Sequence, residues 1–103
     1  MKTSHKTELA LAASIVAWNA GNRSDAAALI GQAIPAKAME MVAFRVGETE
    51  YADSAQLGMA IVEIAEWTRN MGKGEPTPAD ILRGYFQRES EGRGFTLDGQ
   101  PTV

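Results

Sequence analysis

The chain has 103 residues, 45% of them hydrophobic, with a net charge of −3 and no cysteine. That length holds one domain with a single modest core, and its apolar content is too high for a disordered chain. The acidic balance argues against a general nucleic-acid binder, and the lack of thiols excludes disulfides, a cysteine nucleophile and cysteine metal sites.

Thr3 and Ser4 are N-cap types ahead of a first helix over His5–Ala20, which Gly21 can close. Leu9, Ala12, Ala13 and Val16 form one stripe and Leu11, Ile15 and Trp18 the next, so this wide apolar face predicts a largely buried helix. Ser24 and Asp25 open a short second helix that reaches Ile34. Pro35 interrupts it and suits the first position of a third helix, Pro35–Val46, ended by Gly47. Val42, Phe44 and Val46 also alternate, which leaves open a small hairpin over Met41–Tyr51 turning at Gly47-Glu48.

Asp53 and Gln56 have the spacing of a capping box. They start a fourth helix in which Leu57, Ile61, Ile64 and Met71 recur at helical spacing before Gly72. Lys73–Pro76 is a loop by composition. Thr77-Pro78-Ala79-Asp80 then supplies a cap, a proline at the first helical position and an acid in the first turn. Ile81, Leu82, Tyr85 and Phe86 line one face of this fifth helix, which ends near Gly92. The expectation is an all-α bundle of four to five short helices forming a single domain over 1–92. Residues 93–103 are expected as a loosely ordered tail, with Phe95 and Leu97 as candidate anchors. Trp18, Trp67 and Phe86 are expected in the core, with Tyr85 at its margin.

Few residues suit catalysis. The single histidine, His5, sits near the N-terminus, a poor place for an imidazole that must be held against a nucleophile and itself be oriented. Glu63 and Glu66, at i and i+3, lie on one helix face, as in all-helical nucleotide hydrolases of the MazG type. The resemblance implies a metal-dependent hydrolase as an alternative function. Such a site needs a second acidic pair, and Glu89 and Glu91 point apart while Asp80 stands alone. Gly72-Lys73-Gly74 and Gly92-Arg93-Gly94 lack P-loop spacing. A helix-turn-helix over Ala27–Val42 would place Lys37 and Glu40 where apolar groups belong. A small dimeric DNA-binding regulator is therefore the weaker alternative. No catalytic residue, cofactor or metal is assigned.

The strongest asymmetry is acidic. Val46–Thr68 carries Glu48, Glu50, Asp53, Glu63 and Glu66 without one Lys or Arg, so the remainder of the chain is net basic. Carboxylates around Tyr51 suit a Lys/Arg-rich partner, giving fast and salt-sensitive association. The candidate protein-binding residues are Glu48, Glu50, Tyr51, Asp53, Glu63 and Glu66. In its length, its pI of about 5.1 and this acidic segment, the chain resembles small phage-encoded anti-defence proteins of the anti-CRISPR class. The resemblance implies a non-enzymatic inhibitor that covers the basic, nucleic-acid-binding surface of a host protein complex. Five carboxylates fall short of the charge spacing of a phosphate backbone, which sets the chain apart from a true nucleic-acid mimic.

The expected partner is thus a basic protein, with no direct contact to nucleic acid. No run approaches the roughly 20 apolar residues of a membrane span, and Met1–Leu11 lacks a secretory pattern, so a cytoplasmic location is expected. Ala-rich helices with narrow polar stripes can self-associate, and a homodimer is compatible with this sequence.

Overall fold

The computed structural model describes residues 4–48 and 52–92, with side chains described through residue 89. Among these residues lie five α-helices and one short 3-10 turn, and no strand. The helices are α1 (His5–Asn19), α2 (Arg23–Ala33), α3 (Met39–Val46), α4 (Ser54–Asn70) and α5 (Pro78–Gly92), with the 3-10 turn at Ala36–Ala38. The fold is an all-α bundle. Glu50, Tyr51 and the tail over 93–103, with Phe95 and Leu97, lie outside the described residues.

The helix boundaries follow local chemistry. Ser4 Oγ accepts from the Thr7 backbone N–H at 3.1 Å and caps α1. At α4 both arms of the capping box form: Gln56 N–H donates to Asp53 Oδ1 at 2.8 Å and Asp53 N–H donates to Gln56 Oε1 at 2.9 Å. Thr77 and Asp80 repeat this reciprocal pattern at α5. α2 begins one residue before Ser24, with Asn22 as its flanking residue.

Two details of the third helix differ from the sequence reading. Pro35 stays extended at ψ 151 and leads into the 3-10 turn, so α3 starts at Met39 rather than at the proline. The hairpin does not form over Met39–Val46. Gly47 at φ 82 ends α3 in a left-handed cap, where its N–H and that of Glu48 bond to Phe44 and Ala43 carbonyls. A left-handed glycine serves a hairpin turn and a helix cap equally well, which is why the sequence admitted both. The alternation has no packing counterpart: Val42 is buried, whereas Phe44 is 79% exposed.

α2 is the central element, packed between α1 and α4. Its crossing with α4 is made by two glycines. A Cβ built on Gly31 would lie 2.6 Å from the Ser54 carbonyl oxygen, and one on Gly58 would overlap the Ala27 carbonyl. The backbones therefore touch with no room for a side chain. Around this crossing Leu11, Ile30, Val42, Leu57, Ile61, Leu82 and Phe86 form the main core. Each such fully buried aliphatic or aromatic group contributes about 1.5–3 kcal/mol. Tyr85 is buried with them. A smaller cluster of Ala26, Ala27 and Val62 is flanked by Trp18 and Met59.

α1 departs from its expected burial. Leu9 is 59% and Val16 71% exposed, and Ala12 and Ala13 are exposed with them, while Thr7 and Ser14 are buried at 4% and 1%. α2 and α5 cover the side of α1 that carries Leu11, leaving the Leu9–Val16 stripe in solvent. The buried hydroxyls are satisfied locally: Ser14 Oγ donates to the Leu11 carbonyl at 2.7 Å and Thr7 Oγ1 accepts from Ser4 Oγ at 3.1 Å. Among the described residues no helix is long and apolar enough to cross a membrane.

Candidate protein-binding groove

Among the described residues, the carboxylates of the acidic segment differ in what each finds nearby. Asp53 is occupied as the α4 cap. Glu66 faces α2 and takes a two-pronged ion pair from Arg23, with Nε to Oε2 at 2.8 Å and Nη2 to Oε1 at 2.9 Å. The hydrogen bonds from Arg23, aided by its positive charge, hold the Glu66 carboxyl below its ordinary value against the opposing effect of partial burial. Glu63 stands at the edge of this pair, 4.0 Å from Arg23 Nη2.

Glu48 and Glu63 come together in a different place. The end of α3 and the middle of α4 enclose an open groove of about 420 Å³ lined by Val46, Glu48, Ala60, Glu63, Ile64 and Trp67. Helical geometry builds it. Ala60, Ile64 and Trp67 follow at i, i+4 and i+7 and so share one side of α4, while the left-handed turn at Gly47 carries Glu48 back toward them. The apolar floor is Val46, Ala60 and Ile64; Trp67, 56% exposed, forms a wall; the two carboxylates supply the polar rim. The Lys73 ammonium lies over the Trp67 ring, 5.7 Å from its centroid.

Of the six residues read from the sequence, the structure therefore brings Glu48 and Glu63 together. Asp53 caps α4 and Glu66 pairs with Arg23, and Glu50 and Tyr51 lie outside the described residues. Trp67 corrects the expectation of a core residue. At about 100° per residue it falls about 120° around α4 from Ile61, off the buried face, and this count was available in the sequence. Trp18 is half-buried beneath Arg69, whose guanidinium lies 5.4 Å from the ring centroid.

The residues of the alternative chemistries also have defined places. Glu66 is engaged by Arg23, and among the described residues no three or more His, Asp or Glu side chains converge as metal ligands. Asp80 accepts from the Thr77 N–H as a helix cap. In the Ala27–Val42 segment, Gly31 is locked against Ser54, and α3 is an eight-residue helix packed on α4 and α5. No family model, curated protein or solved structure matches this chain.

Proposed function

We propose that this chain is a non-enzymatic protein-binding module that seats a basic segment of its partner in the α3–α4 groove. The observation that carries the reading is the placing of Glu48 and Glu63 around an exposed Trp67 over an apolar floor. A large aromatic with a desolvatable floor and a charged rim has the anatomy of an interface hot spot. An incoming Arg or Lys would lay its aliphatic stem on Trp67 and direct its charge to the two carboxylates. Lys73 already occupies a cation position over that ring, so a partner's Arg would compete with or displace it.

Basic surfaces of this kind commonly bind nucleic acid. Occluding one inhibits its owner, which is the mode of action that the resemblance to anti-CRISPR proteins implies. The inhibitor would act in the cytoplasm on a host complex, need no cofactor and leave nucleic acid untouched.

The test is an affinity capture from bacterial lysate with three baits: the wild type, Glu48→Lys/Glu63→Lys and Trp67→Ala. The expected result is a basic protein retained by the wild type and lost from both variants, with affinity falling as salt rises. A partner held equally by all three baits would refute the groove as the site.

A further inference from the structure

α1 buries Leu11 on one side, together with Thr7 and Ser14, yet leaves a second apolar stripe with Leu9 and Val16 in water. The exposed residues are ordered. Lys6, Leu9, Ala13, Val16 and Ala20 are all exposed and alternate at spacings of three and four, the period of a helix–helix seam. α2 continues the surface with Asp25, Ala28 and Gln32 at the same spacings, and Leu29 beside them is partly buried. Between the two helices runs a shallow groove of about 520 Å³, lined by Ala13, Val16, Ala20, Asp25, Ala28 and Leu29 among others.

Charge points to what covers this face. From Leu9 to Ala36 the chain carries two charged side chains, Arg23 and Asp25, although the whole protein is at −3. Two copies of a protein at −3 repel one another overall, and this face carries few charges to add to that repulsion. The face also has a positive end and a negative end, with Lys6 in the first turn of α1 and Asp25 beside the α1–α2 turn. A two-fold axis that pairs α1 antiparallel with its copy brings each Lys6 toward Asp25 of the other copy. The same register sets Leu9 against Ala20 and Val16 against Ala13, large against small along the whole seam.

We infer that the exposed α1–α2 face is the contact of a two-fold homodimer, with α1 packed antiparallel on α1 of a second copy. The inference does not rest on the α3–α4 groove, which shares no lining residue with this face. Two open grooves would let the dimer engage a partner that presents paired basic sites, and avidity would then exceed the affinity of either groove.

Sedimentation velocity across low-micromolar to submillimolar protein tests it. The wild type should approach twice the 11.0 kDa chain mass as concentration rises. Val16→Glu and Ala13→Glu should remain single chains with unchanged helical circular dichroism, since both positions are exposed. Lys6→Glu alone and Asp25→Lys alone should each weaken the dimer at least several-fold, and the double charge swap should restore it. A wild type at single-chain mass throughout, or a Val16→Glu protein that dimerises as well as the wild type, would overturn the interface. Failure of the double swap to recover the dimer would overturn the antiparallel register. The charge swap also serves as the test if a glutamate in the seam disturbs folding.

Discussion

Arg23 and Glu66, 43 residues apart in the chain, are joined by two hydrogen bonds that tie the start of α2 to the side of α4 facing it. The pair neutralises one of the acidic segment's charges, while Glu63 lies at its edge and also lines the α3–α4 groove. Its acid dependence is readable. The folded-state carboxyl of Glu66 lies below the ordinary 4.5, so its contribution to stability is present above the ordinary value and lost as pH falls through the folded one. The pair is partly solvated, with the Glu66 side chain 28% exposed, which keeps the effect small. Thermal melts of the wild type and Arg23→Gln, followed from neutral pH down through the carboxylate range, should therefore converge at the acid end. A constant gap between the two at every pH would mean that Arg23 acts through packing and not through Glu66.

Asp53 and the groove carboxylates should separate cleanly under mutation. Asp53 accepts from the Gln56 N–H, and its replacement by alanine should cost about 1 kcal/mol through loss of the α4 cap, without an effect specific to binding. Glu48→Lys and Glu63→Gln lie on an exposed rim and should change stability little while weakening partner association and flattening its salt dependence. Urea unfolding beside salt-series binding distinguishes the two classes. Equal binding losses from Asp53→Ala and Glu48→Lys would return Asp53 to the recognition surface.

Two glycines give an opposed pair of outcomes. Gly58 has no room for a methyl group against the Ala27 carbonyl, so Gly58→Ala must push α2 and α4 apart and should destabilise by more than about 2 kcal/mol. Gly84, inside α5, has open space where its Cβ would stand. Gly84→Ala should stabilise by about 0.5–1 kcal/mol, because alanine is the better helix former and restricts the unfolded chain. Denaturant midpoints measure both. A neutral Gly58→Ala would show that the α2–α4 crossing is looser than this geometry requires.

Much of the fold was legible because its signals are local. The Asp53–Gln56 and Thr77–Asp80 caps, together with left-handed Gly21, Gly47 and Gly72, mark helix ends through contacts within a few residues of each other. What was illegible depends on distant packing. No local pattern announces that Arg23 will reach Glu66, or that Gly31 and Gly58 bring two backbones into contact. Whether the Leu9–Val16 stripe or the Leu11 side of α1 turns inward is decided by where α2 and α5 lie, and an apolar run on both sides of a helix carries no information on that choice. The acidic segment was visible as composition; its division among cap, ion pair and groove was not.

Trp67 offers the most direct optical check on the groove. It stands in solvent at the groove wall, whereas Trp18 is half-buried under Arg69. Trp18→Phe leaves Trp67 as the remaining tryptophan, and its emission should be red-shifted and readily quenched by acrylamide. Trp67→Ala leaves Trp18, which should emit at shorter wavelength and resist quenching. Because Trp67 is exposed, its removal should barely change the melting temperature, yet it should weaken the partner by at least about tenfold, as expected of a central aromatic anchor. Binding of the partner to Trp18→Phe should in turn blue-shift and protect the remaining fluorescence. A partner that binds tightly while leaving Trp67 as accessible to acrylamide as before would place recognition elsewhere on the molecule.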